Sequence, residues 1–298
     1  MPWIQLQIPA DPDNADQLED LLMEMGSDAV SMEDAADQPL YEPDPGTTPL
    51  WSQTTVTGLF DSGRDIEQLC ADIRDAWHQQ TQQALPEIDV TLVEDKDWER
   101  AWMDDFQPLK FGERLWIVPS WHDAPDPDAA NLMLDPGLAF GTGTHPTTAL
   151  CLEWLDGQDP RGKQVIDYGC GSGILGLAAL LLGADHVIGV DTDPQALEAS
   201  RENARRNGVE DSKLDLFLPD NEPETKADIM LANILAQPLI GLAPHLASRT
   251  RPGGDLVLSG ILSNQAREVM AAYEPWFVMD EPEQREEWIR LTGRRHDR

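Results

Sequence analysis

Hydrophobic and polar positions change rhythm along the chain. Trp3–Ile8 alternates with the period of a half-buried strand, Ala15–Met25 places Leu18, Leu21, Leu22 and Met25 at helical spacing, and Ala29–Met32 alternates again. Beyond an Asp- and Pro-rich stretch, Thr54–Phe60 reads as a strand, Asp65–Gln83 as a helix with Ile66, Leu69, Ile73 and Trp77 on one face, and Ile88–Val93 as a strand. The order β-α-β-β-α-β is the split βαβ, ferredoxin-like pattern, which offers one sheet face or its loops to a partner.

A different rhythm follows. Asp97–Phe106 sets Trp98, Trp102 and Phe106 four residues apart, an aromatic stripe on a short helix suited to core or domain packing. Leu115–Pro119 reads as a strand and Asp123–Asp128 as a polar, Pro-rich loop. From Gln164 strands and helices alternate: strand Val165–Asp167, helix Ser172–Leu182, strand Val187–Asp191, helix Pro194–Asn207, strand Leu214–Leu218, strand Ile229–Ala232 and helix Leu235–Ala247. A turn at Arg251–Gly254, strand Leu256–Ser259, helix Asn264–Tyr273 and a closing pair, Trp276–Met279 with Trp288–Thr292, complete it. This predicts an open, seven-stranded α/β sheet ending in an antiparallel hairpin. The expected division is a small α+β domain over residues 1–95, a linker with the aromatic helix over 96–130, and an α/β domain over 131–298.

Composition narrows what such a protein binds. The chain has 298 residues, 55 of them acidic against 21 Lys and Arg, a formal charge of −34, and 41% hydrophobic residues. It can bury two cores, so acidity does not imply disorder. Residues 1–95 hold 21 acidic and two basic residues, Arg64 and Arg74. Nucleic-acid binding depends on Lys and Arg neutralising phosphates, so a direct nucleic-acid partner is not expected, and a basic partner fits better. The 34 Asp against five Lys also fit a surface that stays solvated in brine, and steering of a basic substrate is compatible with that. The longest apolar run, Ile174–Ala184, is too short to span a membrane, and Met1–Asp13 lacks the pattern of a secretory signal; a cytoplasmic protein is expected. Cys70, Cys151 and Cys170 lack metal or disulfide spacing, and the scattered histidines make no metal site.

The chemistry gathers at the ends of the first two α/β strands. Asp167-Tyr168-Gly169-Cys170-Gly171-Ser172-Gly173 leaves a strand and opens a helix, and glycines there let a ligand approach the backbone. Gly171, Gly173 and Gly176 satisfy GxGxxG, with Asp191 twenty residues on, as expected of an acidic ribose ligand. A nicotinamide dinucleotide and S-adenosylmethionine both fit that frame. Asp167, just before the glycines, would repel a pyrophosphate but attract the methionine ammonium or organise its surroundings, which favours S-adenosylmethionine. The other reading of Asp191 is a helix N-cap, although Asp193 is better placed for it. Phe140–Thr144 reads as a segment that closes over a cofactor, or as an ordinary tight loop. His145, followed by Pro146, reads equally as a base or a loop residue, so no catalytic base is assigned.

Four stretches together resemble the PrmA family of class I methyltransferases, which act on ribosomal large-subunit protein 11: L-D-P-G-L-A-F-G-T-G-T-H-P-T-T (134–148), V-I-D-Y-G-C-G-S-G-I-L (165–175), G-V-D-T-D-P-Q-A (189–196) and A-N-I-L-A (232–236). The aromatic run 97–108 and the acidic N-terminal domain are similar to the family as well. The resemblance implies a Rossmann-like methyltransferase domain preceded by a ferredoxin-like substrate-recognition domain. It implies transfer of several methyl groups from S-adenosyl-L-methionine to Lys side-chain and N-terminal amines of that ribosomal protein; nothing in the sequence demands an oligomer, so a monomer is expected. By position in the motifs, Thr148, Gly169, Asp191 and Asn233 are the implied cofactor residues. The strand end commonly reads N-P-P-Y in amino-methylating relatives and here reads N-I-L-A, which argues against base methylation. Alternatives are the same fold acting on another protein or a small molecule, a NAD-dependent oxidoreductase, and a non-catalytic binding factor.

Overall fold

A computed structural model describes residues 2–36, 50–93, 106–135 and 145–297. The chain divides into two compact units, Met1–Trp102 and Met103–Arg298. In the first, the alternating segments become β1 (Trp3–Ala10), β2 (Ala29–Asp34), β3 (Thr54–Asp61) and β4 (Asp89–Val93), and the amphipathic ones α1 (Ala15–Glu24) and α2 (Ile66–Thr81). The antiparallel sheet runs β2-β3-β1-β4, with Ile4 opposite Phe60 and Ile8 opposite Val56. That is the ferredoxin-like arrangement expected. Ile4, Leu6, Ile8, Val56 and Phe60 pack on Leu18, Leu21 and Leu22 of α1 and on Leu69, Ile73 and Trp77 of α2, so both helices cover one face. Asp65 starts α2 by accepting from the Gln68 N–H at 3.1 Å.

The second unit begins with a small sheet: β5 (Leu109–Phe111), β6 (Leu115–Val118) and β7 (Ala130–Met133). These strands lie in the stretch read from sequence as mostly linker, yet Phe111, Leu115, Ile117 and Leu132 join the core of the second unit. They are short, and little of their periodicity shows. Trp98 and Trp102, of the expected aromatic helix, lie outside the described residues; Phe106 is in irregular chain ahead of β5. Also outside are residues 136–144, with the Phe140–Thr144 segment.

The larger sheet is built from α3 (Pro146–Asp156), β8 (Gln164–Tyr168), α4 (Ile174–Leu181), β9 (His186–Val190), α5 (Pro194–Arg206), β10 (Leu214–Phe217), β11 (Ala227–Asn233), α6 (Ala236–Arg249), β12 (Thr250–Leu262), α7 (Ala266–Tyr273), β13 (Phe277–Met279), β14 (Glu283–Arg285) and β15 (Trp288–Arg295). Its order is β10-β9-β8-β11-β12-β15-β13, with β14 paired to β15. Among the described residues eight strands therefore stand where seven were expected, because β14 forms a short hairpin with β15. Strands β8 to β12 run parallel and β15 antiparallel, the Rossmann-like methyltransferase arrangement. The expected turn at Arg251–Gly254 lies inside β12, where the pairing with β11 slips between Ala227 and Ile229, so it is a bulge instead of a strand boundary. The chain leaves β8 for β9 on one side and returns to β11 on the other, so a switch point opens at the carboxyl ends of β8 and β11, where ligands bind in such sheets.

Candidate functional site

The loop after β8 is shaped by backbone that only glycine tolerates. Gly169 has φ +77°, and a Cβ there would lie 2.2 Å from the Ile234 Cγ2. Its N–H donates to the Val190 carbonyl at 2.7 Å, and the Gly171 N–H donates to Asp191 Oδ2 at 2.8 Å. The other Asp191 oxygen accepts from the Asp193 N–H at 3.0 Å. Asp193, not Asp191, caps α5, accepting from the Gln195 N–H at 2.8 Å. Asp191 is thus anchored at the glycine loop, half-buried, with the cap taken by its neighbour.

Two residues that the sequence did not single out hold the loop from behind. Ser200 Oγ donates to the Gly171 carbonyl at 2.8 Å, and Asn203 Nδ2 donates to the Ser172 carbonyl at 2.9 Å. Both sit on the face of α5 turned to the loop, a signal that helical phase carries but no motif does. Asp167 is buried at the end of β8 and accepts the Gly176 N–H at 2.9 Å, fastening α4 to the strand. Burial pushes its carboxyl up to about 7; the Gly176 N–H opposes this and the Asp191 charge adds to it. Of its two sequence readings, organising the surroundings is the one this geometry displays.

The opposite wall comes from α3 and β11. Asn233 Nδ2 donates to Thr148 Oγ1 at 3.2 Å, uniting two of the four expected residues across 85 positions of chain. Thr148 is fully buried. Ile234, next to Asn233, fills the space beside Gly169 and so closes the gap between the walls. Gly260 of β12, with φ +83°, lets that turn pass: a Cβ there would stand 2.3 Å from the Ile234 carbonyl oxygen. Nothing local in the sequence marks Gly260. The four expected residues are thus linked through neighbours at the carboxyl ends of β8, β9 and β11: Thr148 to Asn233 directly, Gly169 against the adjoining Ile234, and Asp191 to the glycine loop through the Gly171 N–H.

His145 is the N-cap of α3. Its Nδ1 accepts from the Thr147 N–H at 3.3 Å, and its ring stands edge-on to Trp288, centroids 4.9 Å apart. Burial lowers the imidazole pKa, while Glu286 and Glu287 draw it back up. This gives His145 a structural task as the cap of α3, at the junction of loop and helix. Cys70, Cys151 and Cys170 are free and buried, and burial pushes the Cys151 thiol up to about 12. Among the described residues no cluster of His, Cys, Asp or Glu could hold a metal ion.

The region suits a nucleoside with an amino-acid tail. The glycine loop packs too closely on Ile234 and Ser200 to admit a Cβ at Gly169 or Gly173, a carboxylate stands at the end of β9 for hydroxyls, and an amide and a hydroxyl meet between α3 and β11. Comparison with known proteins agrees. The model of the family described as ribosomal protein L11 methyltransferase (PrmA) matches residues 2–296. A ribosomal protein L11 methyltransferase of Marinobacter nauticus is 89% identical over 297 residues, covering all of both chains, and one of Pseudomonas aeruginosa is 58% identical over 295 residues, 99% of each. The crystal structure of a ribosomal protein L11 methylase from Lactobacillus delbrueckii subsp. bulgaricus superposes with a TM-score of 0.59 at 34% identity, covering 64% of this chain and all of that one. Across nearly its whole length, then, the chain belongs to the PrmA family of ribosomal protein L11 methyltransferases.

Proposed function

We propose that the chain methylates Lys side-chain amines and the N-terminal amine of ribosomal protein L11, using S-adenosyl-L-methionine held by Thr148, Gly169, Asp191 and Asn233. The observation that carries the cofactor assignment is the pairing of Asn233 with Thr148 opposite a glycine loop whose Gly171 N–H fixes Asp191. When bound there, the cofactor supplies a methyl group already activated by its sulfonium. Asp191 uses one lone pair of each oxygen on backbone N–H groups, leaving the others to accept from two ribose hydroxyls. Gly169 lets the loop close against Ile234 and so shapes the cradle, and the Asn233 amide and Thr148 hydroxyl border the methionine end.

Little covalent chemistry falls to the protein, so positioning dominates and no catalytic base is assigned. The acceptor must arrive as a neutral amine, although a free Lys titrates near ~10.4. Leu235, two residues beyond Asn233, is exposed and available to border the approach, where partial desolvation of an arriving amine would disfavour the ammonium form. The acidic residues 1–95, within the first unit, gather the basic substrate without taking part in transfer. Action as a monomer belongs to the same reading. A ribosomal protein substrate fits a cytoplasmic setting, and nucleic acid makes no direct contact in this reading. Among the described residues no helix is long and apolar enough to cross a membrane.

The test is the intact mass of unmethylated ribosomal protein L11 after incubation with the chain and S-adenosylmethionine across a range of salt. A ladder of methyl-mass steps, mapped to Lys and the N-terminus by fragmentation, is expected. An unchanged mass, with cofactor binding intact, would direct the activity to another substrate.

A further inference from the structure

The β14–β15 hairpin brings buried positive charge to the back of α3. Arg290 of β15 has a side chain only 10% exposed; its Nη1 donates to the Leu150 carbonyl at 2.8 Å, and its Nη2 pairs with Glu283 of β14. A guanidinium is costly to bury, and here the Nε has no partner among the described residues while Nη1 and Nη2 do, so its place serves more than space-filling. Two further contacts join the same elements. Arg285 Nη2 reaches both oxygens of Glu153 at 2.9 and 2.8 Å, and Trp288 abuts the His145 cap. The hairpin thus grips α3 at its cap, its middle and its last turn. Leu150 lies two residues beyond Thr148, and in a helix a rotation felt at one residue is passed to its neighbours with little loss. Any turn of α3 about its axis would carry the Thr148 hydroxyl away from Asn233.

We infer that Arg290 is a positioning residue for the cofactor site: clamped by Glu283, it fixes the rotation of α3 through the Leu150 carbonyl and so holds Thr148 against Asn233. The inference rests on the cofactor role proposed for that pair, and Arg290 acts through α3.

The test uses the full chain, with S-adenosylhomocysteine as the calorimetric probe and circular dichroism to establish the folded fraction. Arg290→Gln is expected to weaken binding about tenfold while the KM for ribosomal protein L11 is unchanged. Arg290→Lys keeps the charge but loses the planar fork, and recovers part of the affinity. Because the effect passes through Thr148, adding Arg290→Gln to Thr148→Val costs little beyond Thr148→Val alone. Should Arg290→Gln fail to fold, Glu283→Gln frees the clamp from its half-exposed end and is expected to weaken binding by about threefold. Wild-type affinity in the folded variant, or losses that add in the double variant, overturns the inference. Failure of the wild-type chain itself to bind the probe overturns the cofactor reading instead.

Discussion

The two walls of the site are built on opposite principles. The glycine loop is held by groups 31 residues away or fewer: Val190 and Asp191 take its N–H groups, and Ser200 and Asn203 donate to its carbonyls. The α3 wall is assembled over far longer spans, Asn233 meeting Thr148 across 85 residues and Arg290 meeting Leu150 across 140. Where backbone itself forms the cradle, the sequence must carry glycines at fixed spacing. Where ordinary side chains form it, packing decides which of many threonines and asparagines meet. One wall is therefore intolerant at single positions and the other is tuned by its supports.

Gly169→Ala should have the largest effect. The new methyl would need the space of the Ile234 Cγ2 at 2.2 Å, in a backbone conformation that L residues adopt only under strain. A loss of S-adenosylhomocysteine affinity of about a hundredfold or more is expected in calorimetric titration. Asp191→Asn comes next. It keeps the size but halves the acceptors that hold the Gly171 and Asp193 N–H groups, and about thirtyfold weaker binding is expected in the same titration. On the α3 wall, Asn233→Ala removes one side-chain amide from an otherwise intact frame, with about tenfold loss and no change in the KM for ribosomal protein L11. An Asn233→Ala loss equal to that of Gly169→Ala would break the contrast between the walls.

The same contrast explains what could be read from sequence. The βαββαβ unit was legible because the central strands β1 and β3 bury one face, with alternation cleanest in β1, and each helix covers that face with a regular stripe. The glycine loop and Asp191 were legible because strand, loop and helix N-terminus follow without a break. Of residues 109–133 only the strand at Leu115 was legible: β5 and β7, of three and four residues, are too short to show a period, and packing in one core with Leu152 and Leu155 reveals the stretch as more than a linker. Strand β14 escaped for the same reason. Thr148 and Asn233 could be named by family resemblance, but their contact is a property of the fold. Ser200, Asn203, Gly260 and Arg290 carry no spacing signature, since each supports the site from an element whose own pattern is set by burial.

His145 offers the finest probe of the α3 wall, through pH. Its imidazole accepts from the Thr147 N–H, which only the unprotonated nitrogen can do, and burial holds its pKa below the ordinary value. In the unfolded chain the ring takes a proton near ~6.5. Below that pH the unfolded state binds more protons than the folded one, so stability falls as pH falls, while above it the contribution is complete. His145→Asn keeps a side-chain acceptor at the cap and removes the titration. In urea unfolding from pH 8 to pH 5, the variant and the wild type should run parallel above about 6.5 and diverge below it, the wild type losing at most about 1 kcal/mol more because the ring is partly exposed. An identical acid-side loss in both proteins would show that the cap does not titrate with the fold. The divergence would instead establish that the α3 wall, unlike the glycine loop, is held in part by a group whose protonation the cell can reach.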